Sequence, residues 1–368
     1  MSAVARDARQ QDAGRKGEVR KGYVRPLDLK HGRVDMTHGS GGRAMAQLIE
    51  ELFARHLGNE FLAQGNDGAV MPAAAFGAGG RLVMATDAHV VSPLFFPGGD
   101  IGCLSVHGTI NDLAVMGATP LYLAASFILE EGFPLADLAR LVESMARAAR
   151  EAGVPVVTGD TKVVEQGKGD GVFITTTGVG VVRDGEDFSG DRARPGDRII
   201  VSGSIGDHGM AIMAQRESLG FSAPIESDTA ALHGLVAAMR ASGAQIRVLR
   251  DPTRGGVATT LNEIARQSGV GMMLQERALP VNQEVAAACE FLGLDPLYVA
   301  NEGKLLAVVA PEDAETLLAA MRAHPLGQRA ALIGSVHEDA QHFVQMTTGF
   351  GGRRIVDWLT GEQLPRIC

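Results

Sequence analysis

Carboxylates stand at the ends of apolar runs in the first half of this 368-residue chain. Asp67 lies in Gly65-Asn-Asp-Gly68, Asp87 closes the run Arg81-Leu-Val-Met-Ala-Thr-Asp87, and Asp160 follows an apolar run in Thr158-Gly-Asp-Thr-Lys162. A carboxylate just past the carboxyl end of a strand can reach a ligand in the crevice there, although one such residue alone is an ordinary turn former. Asn111 and Asp112 sit in a mostly apolar stretch, Ile101 to Met116. If buried they need hydrogen-bond partners or a cation; otherwise they occupy a solvated face. Several carboxylates with an amide suit Mg²⁺, a hard ion usually shared with nucleotide phosphates. His38-Gly-Ser-Gly-Gly42, Gly203-Ser-Ile-Gly-Asp-His-Gly209 and Asp251-Pro-Thr-Arg-Gly-Gly256 are glycine-rich helix entries whose amides could face an anion. None is a P-loop. Lys162 and Glu302, the latter in Asn301-Glu-Gly303, complete the polar set, with surface solvation as the ordinary reading of each.

The elements that must hold these residues alternate. Residues 81–87, 121–129, 154–158 and 172–182 read as strands, and 100–116 and 135–152 as helices. In the second helix Leu135, Leu138, Leu141, Val142, Met145 and Ala149 share a face, with Gly153 as the stop. After a turn at Arg194-Pro-Gly-Asp197, a second series begins. Strands are expected at 198–201, 270–274, 304–309 and 331–336, and helices at 205–216, 229–242, 255–267 and 312–323. The expected organisation is a basic arm over 1–30, an N-terminal ATP-binding and dimerisation domain over 31–193, a C-terminal α/β domain over 194–346, and a mobile glycine-rich tail over 347–368.

Composition narrows the class. Hydrophobic residues make up 45% and charged residues 21%, as in soluble globular proteins, and no apolar run approaches a membrane helix. The first thirty residues carry eight Lys/Arg against four Asp/Glu and few large apolar side chains, so disorder is expected, without a secretory leader. A net charge of −9 argues against a general nucleic-acid binder. The cysteines are Cys103, Cys289 and Cys368; three, widely spaced, offer neither a disulfide framework nor a zinc site, and a reducing cytoplasm is expected. Cys368 ends the stretch Leu364-Pro-Arg-Ile-Cys368. Alone it reads either as a chance thiol on a frayed end or as a reactive group delivered elsewhere.

Taken in order, "HGSGGR", "NDGAV", "ATDAHVVSPLFFPGGDIG", "HGTINDLAVMGATP", "TGDTKVV", "DPTRGGVATTLNEIA", "NEGK" and "PRIC" resemble the HypE family, the carbamoyl dehydratases of [NiFe]-hydrogenase maturation, over about residues 31 to 368. The wider superfamily includes aminoimidazole ribonucleotide synthetase, thiamine-monophosphate kinase and selenophosphate synthetase. The resemblance implies an α/β (α+β) chain with a two-domain aminoimidazole ribonucleotide synthetase-like fold, a homodimer paired through strands of the first domain, and a flexible C-terminal tail. It implies ATP-dependent dehydration of an S-carbamoyl group on Cys368 to S-cyano, supplying a cyanide ligand for iron. Partners would be the HypF carbamoyltransferase, which loads the thiol, and a HypC–HypD complex, which receives the cyano group. The resemblance gives Cys368, Lys162 and Glu302 catalytic roles. Nucleotide contacts fall to Gly39, Ser40, Gly41, Gly42, Asp67, Asn111, Asp160 and Thr161, and Mg²⁺ to Asp67, Asp87, Asp112 and Asp160. A selenophosphate synthetase-like enzyme would carry its cysteine or selenocysteine in the glycine-rich loop at residues 38–42, which has none. A thiamine-phosphate kinase-like enzyme has no use for a terminal thiol. A non-catalytic ATP-binding assembly scaffold predicts lost carboxylates, and all four are present.

Overall fold

The computed structural model describes residues 26–39, 43–64, 80–217, 225–359, 366 and 367. Ser40, Gly41, Gly42, Asp67, Cys368 and the basic arm up to residue 25 lie outside the described residues.

The first domain is built on four strands. These are β1 (Gly80–His89), β2 (Thr119–Glu130), β3 (Val156–Val164) and β4 (Val172–Arg183). They lie in the order β1-β4-β2-β3, with only β2 and β3 parallel. Helices α1 (Ile101–Val115) and α2 (Leu135–Ala152) belong to the same domain. The α1 N-terminus is fixed by Asp100, whose carboxylate accepts from the amides of Gly102 and Cys103. α2 stops at Gly153, which takes the left-handed conformation at φ 69° that glycine adopts without strain. Leu104, Ile110, Leu138, Leu141 and Met145 are fully buried between the helices and the sheet. The opposite sheet face stays open: Leu82 and Met84 are 62% and 70% exposed, and Ile128 on β2 is exposed on the same face. That one-sided burial gives β1 and β4 their period-2 alternation.

The second domain holds a seven-stranded sheet. Its strands are β5 (Arg198–Val201), β6 (Ile246–Arg250), β7 (Gly271–Gln275), β8 (Leu306–Val309), β9 (Ala331–His337), β10 (Val344–Thr347) and β11 (Arg353–Ile355), ordered β11-β10-β7-β9-β5-β8-β6. Its helices are α3 (Asp207–Arg216), α4 (His233–Ala241), α5 (Gly256–Ser268), α6 (Gln283–Leu292) and α7 (Ala314–Ala323). Ile199, Ile200 and Val201 of β5 are fully buried, as a strand with helices on both faces requires. The two domains share a seam at the end of α1, where Ala114 and Val115 pack with Leu232, Leu235 and Leu305.

The structure departs from the sequence expectation chiefly in three places. β3 runs on to Val164, so Asp160 lies within a strand, where Ser126 is its partner on β2. Strand β6 and helix α6 form from segments too short or too weakly patterned to stand out in the sequence. The glycine-rich stretch from Thr347 makes a hairpin before any tail begins: β10 pairs with β7 and β11, and the turn closes through the Thr348 amide bonding the Gly352 carbonyl at 2.8 Å.

Candidate active site

At the domain seam Asp87, Asp112, Asp228, Asp251 and Glu302 bear on one another. Asp87 points to the α1 side of β1, half-buried, with His89 Nε2 3.2 Å from its Oδ2. α1 comes this close because residue 108 is glycine. A Cβ there would stand 2.8 Å from His89 Nε2 and 3.2 Å from Asp87 Oδ2. About one turn further along α1 come Asn111 and Asp112. Asn111, 1% exposed, spends its amide on backbone: Nδ2 donates to the carbonyls of Ala230 (3.0 Å) and Glu302 (2.9 Å), and Oδ1 accepts from the Leu232 amide. It is a brace between α1 and the Glu302 segment. Gly303 allows the 228–230 segment to cross over that stretch, since a Cβ at 303 would overlap the Asp228 carbonyl.

Glu302 is 4% exposed, and its Oε1 has no hydrogen-bond partner. Burial first, then Asp228, Asp251, Asp87 and Asp112, push its carboxyl far above the usual range. Asp112 is pushed up to about 7 by burial, then Asp251 and Asp87, against the pull of Arg250. Asp251 rises to about 6, chiefly through burial. Asp87 goes the other way: burial raises it, but His89, the Ala88 amide and Arg254 together hold it below its ordinary value. Asp228 accepts from the Glu302 amide (3.0 Å) and lies 3.1 Å from Lys304 Nζ.

Among the described residues, no group of three or more His, Cys, Asp and Glu side chains is gathered tightly enough to hold a metal ion. The donor chemistry nonetheless fits a hard divalent cation. Asp112 and Asp251 are oxygen donors whose negative charge is concentrated and incompletely neutralised, and Glu302 Oε1 is buried without a partner.

Asp160 and Lys162 are elsewhere. Lys162 Nζ grips both Asp160 oxygens at 2.8 and 2.7 Å on β3, with both side chains more than half exposed. That pair holds the Asp160 carboxyl below its usual range. Asp87 pairs with Thr176, Thr176 with Ala125, and Ala125 with Gly159, so Asp160 lies three strand spacings from Asp87, roughly 14 Å. One ion cannot bridge them within a chain. Lys162 and Glu302 likewise form no pair within the chain, because the Asp160 carboxylate engages Lys162 on the outer strand. The turn bearing Gly39 (Met36–Gly39) packs beside β3, the strand of Asp160 and buried Thr161, rather than beside Asp87. The single chain thus presents two separate polar groups, one at the seam and one on β3.

The end of the chain returns to the seam. Ile367, 3% exposed, packs into the first-domain core. Its carbonyl lies 2.8 Å from Nε2 of His208, a fully buried residue of α3, whose Nδ1 lies 2.7 Å from Ser227 Oγ. Asp228, the next residue, is the one that holds the Glu302 amide.

Asp228, Lys304, His208 and Asn301 were not singled out by the sequence reading. Asn301 is fully buried and bonds the Gly206 amide and the Pro252 carbonyl, tying the entries of α3 and α5 together. Lys304 and Asn301 lie in or beside the NEGK motif, a usable signal; Asp228 sits in a polar stretch with none.

Comparison with known proteins follows the same outline. The family model for the N-terminal domain of AIR synthase related proteins matches residues 65–182, and the model for the C-terminal domain matches 194–347. The carbamoyl dehydratase HypE of Cupriavidus necator is 71% identical over 352 residues, covering 96% of this chain and 99% of that protein. A crystal structure of the hydrogenase maturation protein HypE in complex with ATP superposes with a TM-score of 0.86 at 51% identity, covering 91% of this chain and 99% of that one. A HypE–HypF complex structure gives a TM-score of 0.74 at 50% identity, over 85% of this chain and 99% of the matched chain. Among the described residues no helix is long and apolar enough to cross a membrane.

Proposed function

The chain belongs to the carbamoyl dehydratase HypE family of hydrogenase maturation, and from that premise we propose that it dehydrates an S-carbamoyl group carried on its own Cys368, using ATP. The observation that carries this reading is the seating of Arg366 and Ile367 at the seam, one residue short of the thiol and linked through His208 and Ser227 to the segment that holds the Glu302 amide.

The chemistry asks for what the cluster offers. The carbamoyl oxygen is a poor leaving group, so it attacks the γ-phosphorus of ATP and ADP departs. The nitrogen gives up its two protons, the C–O bond breaks, and S–C≡N forms as phosphate leaves. The oxygen lost from carbon ends in phosphate, so the sum is thiocarbamate plus ATP to thiocyanate, ADP and phosphate. Glu302, buried and surrounded by negative charge, is a stronger base than a surface carboxylate and takes a nitrogen proton. Asp87, Asp112 and Asp251 would hold Mg²⁺, which when bound neutralises charge on the transferring phosphoryl group.

The separation of the two polar groups supports a homodimer. β1 and β3 are the outer strands of the described sheet, and its open face carries Leu82, Met84 and Ile128, an apolar surface suited to a second copy. Edge pairing of β1 with β3 of a second copy would set Asp160, Thr161 and Lys162 of one subunit beside Asp87 and Glu302 of the other. In the same reading HypF loads Cys368, a HypC–HypD complex receives the cyano group, and the chain works in the cytoplasm.

Phosphate release tests the self-modification. Carbamoylated full-length protein with excess ATP is expected to release one phosphate per chain and then stop, because the substrate is a residue of the enzyme. Cys368→Ala should release none beyond background while still binding ATP. Continuous turnover, or an unchanged burst in Cys368→Ala, would place the substrate elsewhere.

A further inference from the structure

The docked residues are held mainly through their backbone. The Arg366 carbonyl accepts from the Ser92 amide at 3.1 Å and from the Arg216 guanidinium at 2.9 Å. Arg216 also donates to the Ser92 carbonyl at 2.6 Å, clamping tail and first domain together. The Ile367 carbonyl faces His208 Nε2. A carbonyl can only accept, so Nε2 carries the proton; burial disfavours the charged ring, and Nδ1 accepts from the Ser227 hydroxyl. Ser227 therefore fixes the tautomer, and the Phe96 ring, edge-on at 5.5 Å, fixes the ring plane. His208 and Arg216 lie near the two ends of α3, eight residues apart, so about 12 Å along the helix and roughly 80° around its axis. Arg366 itself has φ 55°, a left-handed conformation uncommon for a residue with a side chain, which these contacts stabilise, and it pairs with Asp170.

We infer that His208 and Arg216 form a backbone latch for the tail, and that His208 is a positioning residue for dehydration, fixing the Ile367 carbonyl one residue short of the thiol. The inference rests on the carrier role proposed for Cys368. It extends that role by naming what makes docking reversible. A few hydrogen bonds to carbonyls and one apolar anchor, each of small net strength, let the tail leave to be loaded and return to react. Ser227 joins the latch to the chemistry, since Asp228 beside it holds the Glu302 amide.

Three variants of the full-length protein test it. His208→Phe removes the donor, His208→Gln keeps an N–H near the Nε2 position, and Arg216→Met opens the clamp. Carbamoylation by the transferase and ATP affinity are expected to stay at wild-type levels in all three. The first-order dehydration rate should fall about tenfold or more in His208→Phe and Arg216→Met, the scale of leaving a buried carbonyl unpaired, with most of the rate restored in His208→Gln. A wild-type rate in His208→Phe overturns the inference, as does a His208→Gln variant as slow as His208→Phe, which would mark a packing role only. A wild-type rate in Arg216→Met removes Arg216 from the latch. Hydrogen exchange at the Ser92 amide, which donates to the Arg366 carbonyl, reads the latch without the chemistry in the unmodified protein: protected in wild type, and released in His208→Phe and Arg216→Met. If wild type accepts no carbamoyl group, the carrier role fails and exchange alone judges the latch. Equal protection in all the proteins overturns it.

Discussion

Replacing Asp112 by asparagine should stabilise the metal-free protein while removing its response to Mg²⁺. Burial, Asp251 and Asp87 raise the folded-state pKa of Asp112 to about 7, against 3.8 for the ordinary carboxyl. A group raised on folding favours the folded state in its protonated form. That contribution is complete below the unfolded pKa, declines as pH rises through the window between the two values, and is gone above the folded pKa. At about 1.4 kcal/mol per pH unit, roughly three units give a ceiling near 4 kcal/mol for the cost of ionised Asp112 at about pH 8. Asparagine does not ionise, so the variant avoids that cost. A domain of this size shifts its Tm by roughly 2–4 °C per kcal/mol, so the ceiling corresponds to a gain of about 8–16 °C at about pH 8, shrinking toward about pH 5. Saturating Mg²⁺ with ATP should raise the wild-type Tm and close most of the gap, with little effect on the variant. The assay is thermal unfolding across this pH range with and without Mg²⁺–ATP. A variant no more stable than wild type at the alkaline end, or one with the full Mg²⁺ response, would refute the reasoning. The same variant should accept the carbamoyl group and fail to dehydrate it.

Other outcomes follow from the same geometry. Glu302→Gln should be carbamoylated normally and dehydrate at least about a hundredfold more slowly, the scale of losing a positioned base, in a single-turnover assay. Gly108→Ala should cost about 1–3 kcal/mol by denaturant unfolding and weaken Mg²⁺-dependent ATP binding, because its Cβ would press on His89 and Asp87. Asp87→Asn and Asp160→Asn, each inactive alone, should recover up to about a quarter of wild-type activity when mixed and allowed to exchange subunits, since half the dimers then hold one intact shared site. No recovery despite subunit exchange would place both residues in a site made by one chain.

Much of the first domain could be read from the chain because its elements obey one period each. The α2 face and the Gly153 stop are where helical spacing puts them, and β1 and β4 alternate because one sheet face is open. β3 was truncated in that reading because Gly159-Asp160 looks like a turn, whereas pairing to Ala125 and Ser126 extends the strand through it. Thr348 to Gly352 looks like slack tail, but its glycines serve a hairpin, with Gly351 at φ 86°. In the site, Asp87 and Asp112 were legible as carboxylates in or at the end of apolar runs, whereas Glu302 reads as an ordinary solvated residue and gains a role only through the family resemblance. Their separation from Asp160 was not legible, because strand order is a tertiary property that no local pattern encodes. The sequence leaves Asn111 either a buried amide needing partners or a solvated one, and only the fold reveals that it is buried with backbone groups as its partners. His208 lay within a glycine-rich helix entry whose histidine had no separate signal.

The central claim is that ATP-dependent chemistry occurs on the last residue of this chain. Mass spectrometry of the C-terminal peptide tests it directly, using full-length protein with the HypF transferase, carbamoyl phosphate and ATP. The peptide is predicted to gain one carbamoyl group at Cys368 and then, with ATP and Mg²⁺, to lose one water. A peptide that never takes up the group, or that keeps the carbamoyl mass after ATP is consumed, would contradict the account.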